Sequence, residues 1–95
     1  MKKKDSRAVA QGVIQFEINA LKNLKKNITK SFQKIVDVIL SCKDGKIIIS
    51  GVGKSGIIGK KWAATLSSTG SPSFFMDASN ASHGDMGQIR SKDVV

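Results

Sequence analysis

The chain has 95 residues, with 16 Lys and Arg against 7 Asp and Glu, one Cys, one Pro and nine Gly. That size allows one domain at most, burying roughly 60 to 70% of the surface its unfolded form exposes, and 40% apolar residues exclude a disordered polycation. Cys42 alone cannot form an internal disulfide, so a reducing compartment is expected. No apolar stretch approaches the ~18 residues that a bilayer crossing needs. The start Met-Lys-Lys-Lys-Asp5 has the charge of a secretory leader, but a polar residue or Gly interrupts each apolar core behind it. The sequence therefore reads as cytoplasmic, with no membrane partner.

The net charge of +9 is concentrated at the amino end, where residues 1–34 hold nine basic residues against Asp5 and Glu17. Such a segment can bind phosphate backbones. There is no Tyr, however, and only four Phe and one Trp to stack on bases. Specific nucleic-acid binding is not expected, and the lysines read as the solvated faces of helices.

From Arg7 to about Asn27, Val9, Val13, Phe16, Ala20 and Leu24 recur at steps of three and four, with Ile14, Ile18, Leu21 and Ile28 beside them. This spacing predicts an amphipathic helix. A second helix is predicted over Thr29 to Cys42, turning Phe32, Ile35, Val36, Ile39 and Leu40 inward, and Cys42 reads as a small buried hydrophobe. Asp44-Gly45 signals a turn, and Lys46-Ile-Ile-Ile-Ser50 is a β-branched run suited to a strand covered on both faces. Gly51-Val-Gly-Lys-Ser-Gly56 then opens a third helix. Ser55 is its expected N-cap, Ile58, Trp62 and Leu66 its buried face with Ala63 behind them, and Gly70 with Pro72 its stop. Ser73 to Asp77 reads as a second strand, followed by a polar stretch to Gly87 and, over Ser91 to Val95, the approach to a third strand. Strand, glycine loop, helix and strand make a βαβ unit.

Gly51, Gly53 and Gly56 satisfy G-x-G-x-x-G between a strand and a helix, and Asp77 stands 21 residues beyond Gly56, where a dinucleotide-binding unit places its ribose-binding acid. Glycines let the backbone approach an anion, which free N–H groups and the helix dipole then hold. A P-loop is excluded because it requires Gly where Ile48 stands. Lys54 and Ser55 inside the loop suit a single phosphate or a reacting sugar better than a close-packed pyrophosphate turn. The plainer alternative is a tight strand-to-helix turn with no ligand. His83, the only histidine, lies in Ser82-His-Gly-Asp85 beyond the second strand, at the sheet edge where open α/β folds bind ligands. It can serve as a general acid or base, or as a hydrogen-bond partner for a sugar hydroxyl. No Cys or second His lies near it, so neither a metal site nor a cofactor is expected.

The run from Gly51-Val-Gly-Lys-Ser-Gly56 through Ala63-Ala-Thr, Ser67-Ser-Thr-Gly and Ser71-Pro-Ser-Phe-Phe75 to His83-Gly-Asp-Met-Gly87 closely resembles the sugar-isomerase (SIS) domain of bacterial D-arabinose 5-phosphate isomerases. The resemblance implies an α/β fold, a doubly wound parallel sheet in a three-layer sandwich. Here that fold is expected to be partial, with residues 1–45 as a helical lead-in and residues 46–95 as the βαβ unit and the start of a third strand. It implies interconversion of ribulose 5-phosphate and arabinose 5-phosphate, at the entry to the octulosonate sugar of lipopolysaccharide, in a homo-oligomer. Lys54 matches the family's active-site lysine and His83 its active-site histidine. Gly51, Gly53, Ser55 and Gly56 would hold the sugar phosphate. The chain departs from the family in having Asp77-Ala-Ser-Asn-Ala81 where members commonly have His-Pro-x-Glu-Ala, so that Asn80 replaces a carboxylate, and Ile57 stands where many have His. The family's S-x-S-G-x-T phosphate loop, its later active-site residues and its CBS modules are not among these 95 residues. The expectation is therefore an amino-terminal piece of the domain, inactive alone, with exposed sheet edges. Two alternatives remain: a sugar-phosphate or dinucleotide-binding module without turnover, and an interaction protein that pairs through its basic amino-terminal helices.

Overall fold

The computed structural model describes residues 5–95; the lysine run at positions 2–4, read above as a charged start, lies outside the described residues. The chain divides into two compact units, residues 1–34 and 35–95.

In the first unit, helix α1 spans Ser6–Lys26. Asp5 caps it, its carboxylate accepting from the Arg7 N–H at 2.9 Å, which satisfies one of the donors that the first turn leaves open. Lys25 and Lys26 close the last turn, where cations favour the dipole. The predicted apolar stripe is present, but none of it is buried: Phe16 is 74% exposed and Leu21 63%.

Helix α2, Lys30–Ser41, carries the chain into the second unit. The expectation that its apolar residues all turn inward is corrected. Phe32, Ile35 and Leu40 are exposed, while Val36 and Ile39 are half-buried. The rest of this unit has a small core of four apolar residues, Ile47, Ile48, Ala63 and Met76, so it cannot enclose a whole helix.

Strand β1, Ile47–Gly51, leads through Val52 into helix α3, Gly53–Ser68, and then into strand β2, Ser73–Asp77. The strands are parallel, in a register that pairs Ile47 with Ser73 and Gly51 with Asp77. At the end of α3, Gly70 takes φ +104 and the Ser71 N–H reaches back to the Leu66 carbonyl at 2.8 Å, which is how a left-handed residue terminates a helix. The Ser67 hydroxyl donates to the Ser73 carbonyl at 2.8 Å and accepts from the Ser73 N–H at 3.0 Å, fixing the start of β2.

The buried face of α3 is also not the predicted one. Ile58 is 71% exposed and Trp62 48%, whereas Gly56, Gly59 and Ala63 are buried. The reason lies in the sheet. A Cβ on Gly59 would come within 3.0 Å of Ile49 Cγ2 and 3.1 Å of Phe75 Cε2, so the strands supply the bulk and the helix supplies its small-residue stripe.

Beyond β2 come one helical turn, α4 (Ala78–Ala81), and a 3-10 turn at Asp85–Gln88. The third strand is reduced to one parallel bridge, Ile47 with Val94, made by Ile48 N–H to Val94 O at 2.7 Å and Val94 N–H to Lys46 O at 3.0 Å. Since β2 holds its other side, β1 is central, with order β2, β1, Val94. Asp93 clips this edge: its carboxylate accepts from Arg90 N–H at 2.7 Å, Lys46 N–H at 3.0 Å and Lys46 Nζ at 3.1 Å. An apolar groove of about 290 Å³ opens beside it, lined by Ile35, Ile39, Ile47, Trp62, Val94 and Val95 among others.

Candidate functional site

The glycine loop turns because of Gly53. Its φ of +59 lies where a side chain costs about 1–2 kcal/mol, and it lets the chain pass from β1 to α3 across Val52 alone. This corrects the expectation for Ser55. The N-cap is Val52, with no side-chain cap hydrogen bond, and Ser55 falls inside the first turn. Gly56 is buried, its N–H donating to Val52 O at 3.1 Å, and a Cβ there would stand 3.1 Å from Gly51 O. Gly51 is the last residue of β1 rather than part of the loop.

This geometry leaves the start of α3 open to an anion. The first turn has no acidic residue and no side-chain cap, it carries Lys54, and Lys54 and Ser55 are exposed. Free first-turn N–H groups and the positive end of a helix dipole attract a phosphate or an oxyanion. A cation on a flexible stem adds a movable point charge.

His83 lies on the neighbouring strand's side of the same edge. β2 ends at Asp77, which is in register with Gly51, and α4 leads from it to His83, whose N–H donates to Asn80 O at 3.0 Å. The imidazole-bearing residue is exposed, and Gly84, at φ +123, turns the chain away behind it. The carboxyl ends of β1 and β2 thus carry all six predicted site residues, on two adjacent connections. Because β1 has β2 on one side and Val94 on the other, the glycine loop also leaves the sheet where the strand order reverses, the usual ligand crevice of open parallel sheets.

Asp77 does not fill the role that a dinucleotide fold would give it. Its Oδ1 accepts from Ser79 N–H at 2.9 Å, from the Ser79 hydroxyl and from Asn80 N–H at 3.4 Å, so it caps α4. The Ser79 hydroxyl bond, above all, holds its pKa below the ordinary carboxylate value, with a contribution from Lys60. Gly59 was not singled out by the glycine pattern. Its signal is the three-residue step from Gly56, continued by Ala63, which marks the face that lies against the sheet.

Residues 39–95 match the family model described as the SIS domain. Arabinose 5-phosphate isomerase GutQ of Escherichia coli K12 is 45% identical over 82 residues, covering 86% of this chain and 25% of that protein. An uncharacterised protein of Rickettsia prowazekii is 47% identical over 89 residues, 94% of this chain and 28% of its own length. A solved structure of an Escherichia coli CFT073 protein in complex with arabinose 5-phosphate superimposes with a TM-score of 0.87 at 39% identity, over 100% of this chain and 50% of that one. The chain therefore spans about a quarter of the length of the curated relatives it matches.

Proposed function

Because the chain belongs to the SIS domain family, we propose that the glycine loop and the His83 segment form one side of a site for a five-carbon sugar phosphate. The reaction served is the aldose–ketose interconversion of ribulose 5-phosphate and arabinose 5-phosphate. The observation that carries this reading is the uncapped, acid-free start of α3 with Lys54 in its first turn, on a fold similar to one that holds arabinose 5-phosphate.

The chemistry asks for three things. An anion must be held, a proton must leave the carbon next to a carbonyl, and the oxyanion of the resulting enediol must be stabilised. Gly51, Gly53, Ser55 and Gly56 let the backbone approach the anion, with the Ser55 hydroxyl and the first-turn N–H groups as donors. Lys54 stabilises the oxyanion or orients the sugar. His83 exchanges a proton with the substrate or hydrogen-bonds a hydroxyl. We assign ligand contact to residues 46–95, with residues 1–45 as lead-in, and we propose that the 95 residues alone bind the sugar phosphate without efficient turnover.

Titration with arabinose 5-phosphate, followed by amide resonances, tests the binding. Shifts are expected across Gly51–Gly56 and at His83. Lys54→Ala should weaken binding tenfold or more, the scale of one charge-assisted hydrogen bond at about 1.5–3 kcal/mol. Loop resonances that stay in place at millimolar ligand would overturn the site. A coupled isomerisation assay tests the second part, since robust turnover that disappears in Lys54→Ala would overturn binding without catalysis.

A second copy of the chain is the proposed partner of α1. A helix with Phe16, Leu21 and Leu24 all more than half exposed leaves apolar surface of the kind that association covers. Sedimentation at several concentrations tests this, and a monomer throughout overturns it.

A further inference from the structure

Helix α4 is a single turn of four residues, too short to hold itself, because nucleating a first turn fixes several dihedrals for one hydrogen bond. What holds it is the side chain that ends β2. Asp77 Oδ1 accepts from Ser79 N–H at 2.9 Å, from the Ser79 hydroxyl, and from Asn80 N–H at 3.4 Å. The turn is then tied to its own exit. The Ser82 hydroxyl donates to Ser79 O at 3.2 Å, His83 N–H to Asn80 O at 3.0 Å, and Gly84 N–H to Ala81 O at 3.4 Å. A continuous set of bonds therefore runs from the rigid end of β2 to the backbone of His83, and its first link is one carboxylate.

We propose that Asp77 is a positioning residue for His83, fixing through α4 where the imidazole is presented at the sheet edge that also carries Gly51. This rests on reading His83 as a ligand-contacting residue of a sugar-phosphate site. Asp77 itself does not touch the ligand. Its place in register with Gly51 anchors the capped turn to the strand that feeds the glycine loop, so the two connections share one frame.

The test compares Asp77→Ala with Asp77→Asn in the 95-residue chain, reading the His83 ring and backbone resonances without ligand and the affinity for arabinose 5-phosphate. Asp77→Ala should move the His83 signals towards their values in an unstructured peptide and weaken binding about fivefold, a typical effect of losing a cap. Asp77→Asn keeps the acceptor oxygen and should restore both. Ser79→Ala, which removes one of the three donors to Oδ1, should move His83 in the same direction by less, and it supplies the test if Asp77→Ala does not fold. Unchanged His83 signals in folded Asp77→Ala or in Ser79→Ala would overturn the proposal, as would an equal loss in Asp77→Asn and Asp77→Ala. A wild-type chain that ignores arabinose 5-phosphate while His83 still responds to Asp77→Ala would overturn the sugar-phosphate reading and leave the cap standing.

Discussion

At Gly56 two roles of one residue meet. The glycine pattern marks it for ligand approach, yet a Cβ there would sit 3.1 Å from Gly51 O and 3.4 Å from Phe75 Cζ. A ring can rotate away, but a backbone carbonyl in a parallel ladder cannot. Gly56→Ala gains about 1 kcal/mol of helix propensity and meets an overpacking cost of about 1–3 kcal/mol. The expected result is a lower thermal midpoint and a weakened response of the loop to arabinose 5-phosphate; a midpoint equal to or above wild type would mean that α3 shifts freely on the sheet. Where the candidate site residues fall along the chain was legible in the sequence, because three glycines between an apolar strand and a helix mark the turn from β1 to α3. Their local roles were less so. Ser55 has the residue type of an N-cap, but the φ of +59 at Gly53 starts the helix before it. Asp77 has the spacing of a ribose-binding acid, and only the backbone that follows reveals it as a cap.

Helices were easier to place than to orient. The prediction for α3 failed on which side is buried, since Ile58, Trp62 and Leu66 form a stripe at helical spacing, and Gly56, Gly59 and Ala63 form another. Periodicity cannot choose between two stripes on one helix. The sheet chooses, because Ile49 and Phe75 already fill the space and admit only the smaller one. In α1 the stripe is as regular as predicted, and none of its residues is buried. Fully covering a Phe or Leu side chain contributes about 1.5–3 kcal/mol, so Phe16→Lys combined with Leu24→Lys should weaken any self-association by at least tenfold. Sedimentation equilibrium reads this directly, and an association constant that both lysines leave unchanged would place the contact elsewhere.

The sheet of the second unit is built around one central strand, and its third member depends on Asp93. That carboxylate, with a side chain only 2% exposed, is held below its ordinary pKa of 3.8 by the Arg90 and Lys46 N–H groups first and by the Lys46 side chain after them. A depressed folded-state pKa contributes stability that is complete above the unfolded value and is lost as pH falls through the folded one. Thermal midpoints should therefore hold steady from neutral pH to about pH 5 and fall below about pH 4. Asp93→Asn should lower the neutral plateau and shrink the acid decline, leaving the part that Asp77, shifted the same way, still supplies. An undiminished acid decline in Asp93→Asn would remove Asp93 from this account. The strand order was not legible, because an apolar run ending in Val94-Val95 says nothing about which side of β1 it joins. The Val94 bridge bears on the order in which the chain folds. It spans nearly twice the sequence separation that the β1–β2 register does, which adds only about 0.5 kcal/mol of loop-closure cost, but a single bridge repays it where β1 and β2 share five paired positions. The βαβ unit with its glycine loop is therefore expected to become native before the Val94 edge, with the segment bearing His83 held by Asp77 at one end until that edge closes at the other.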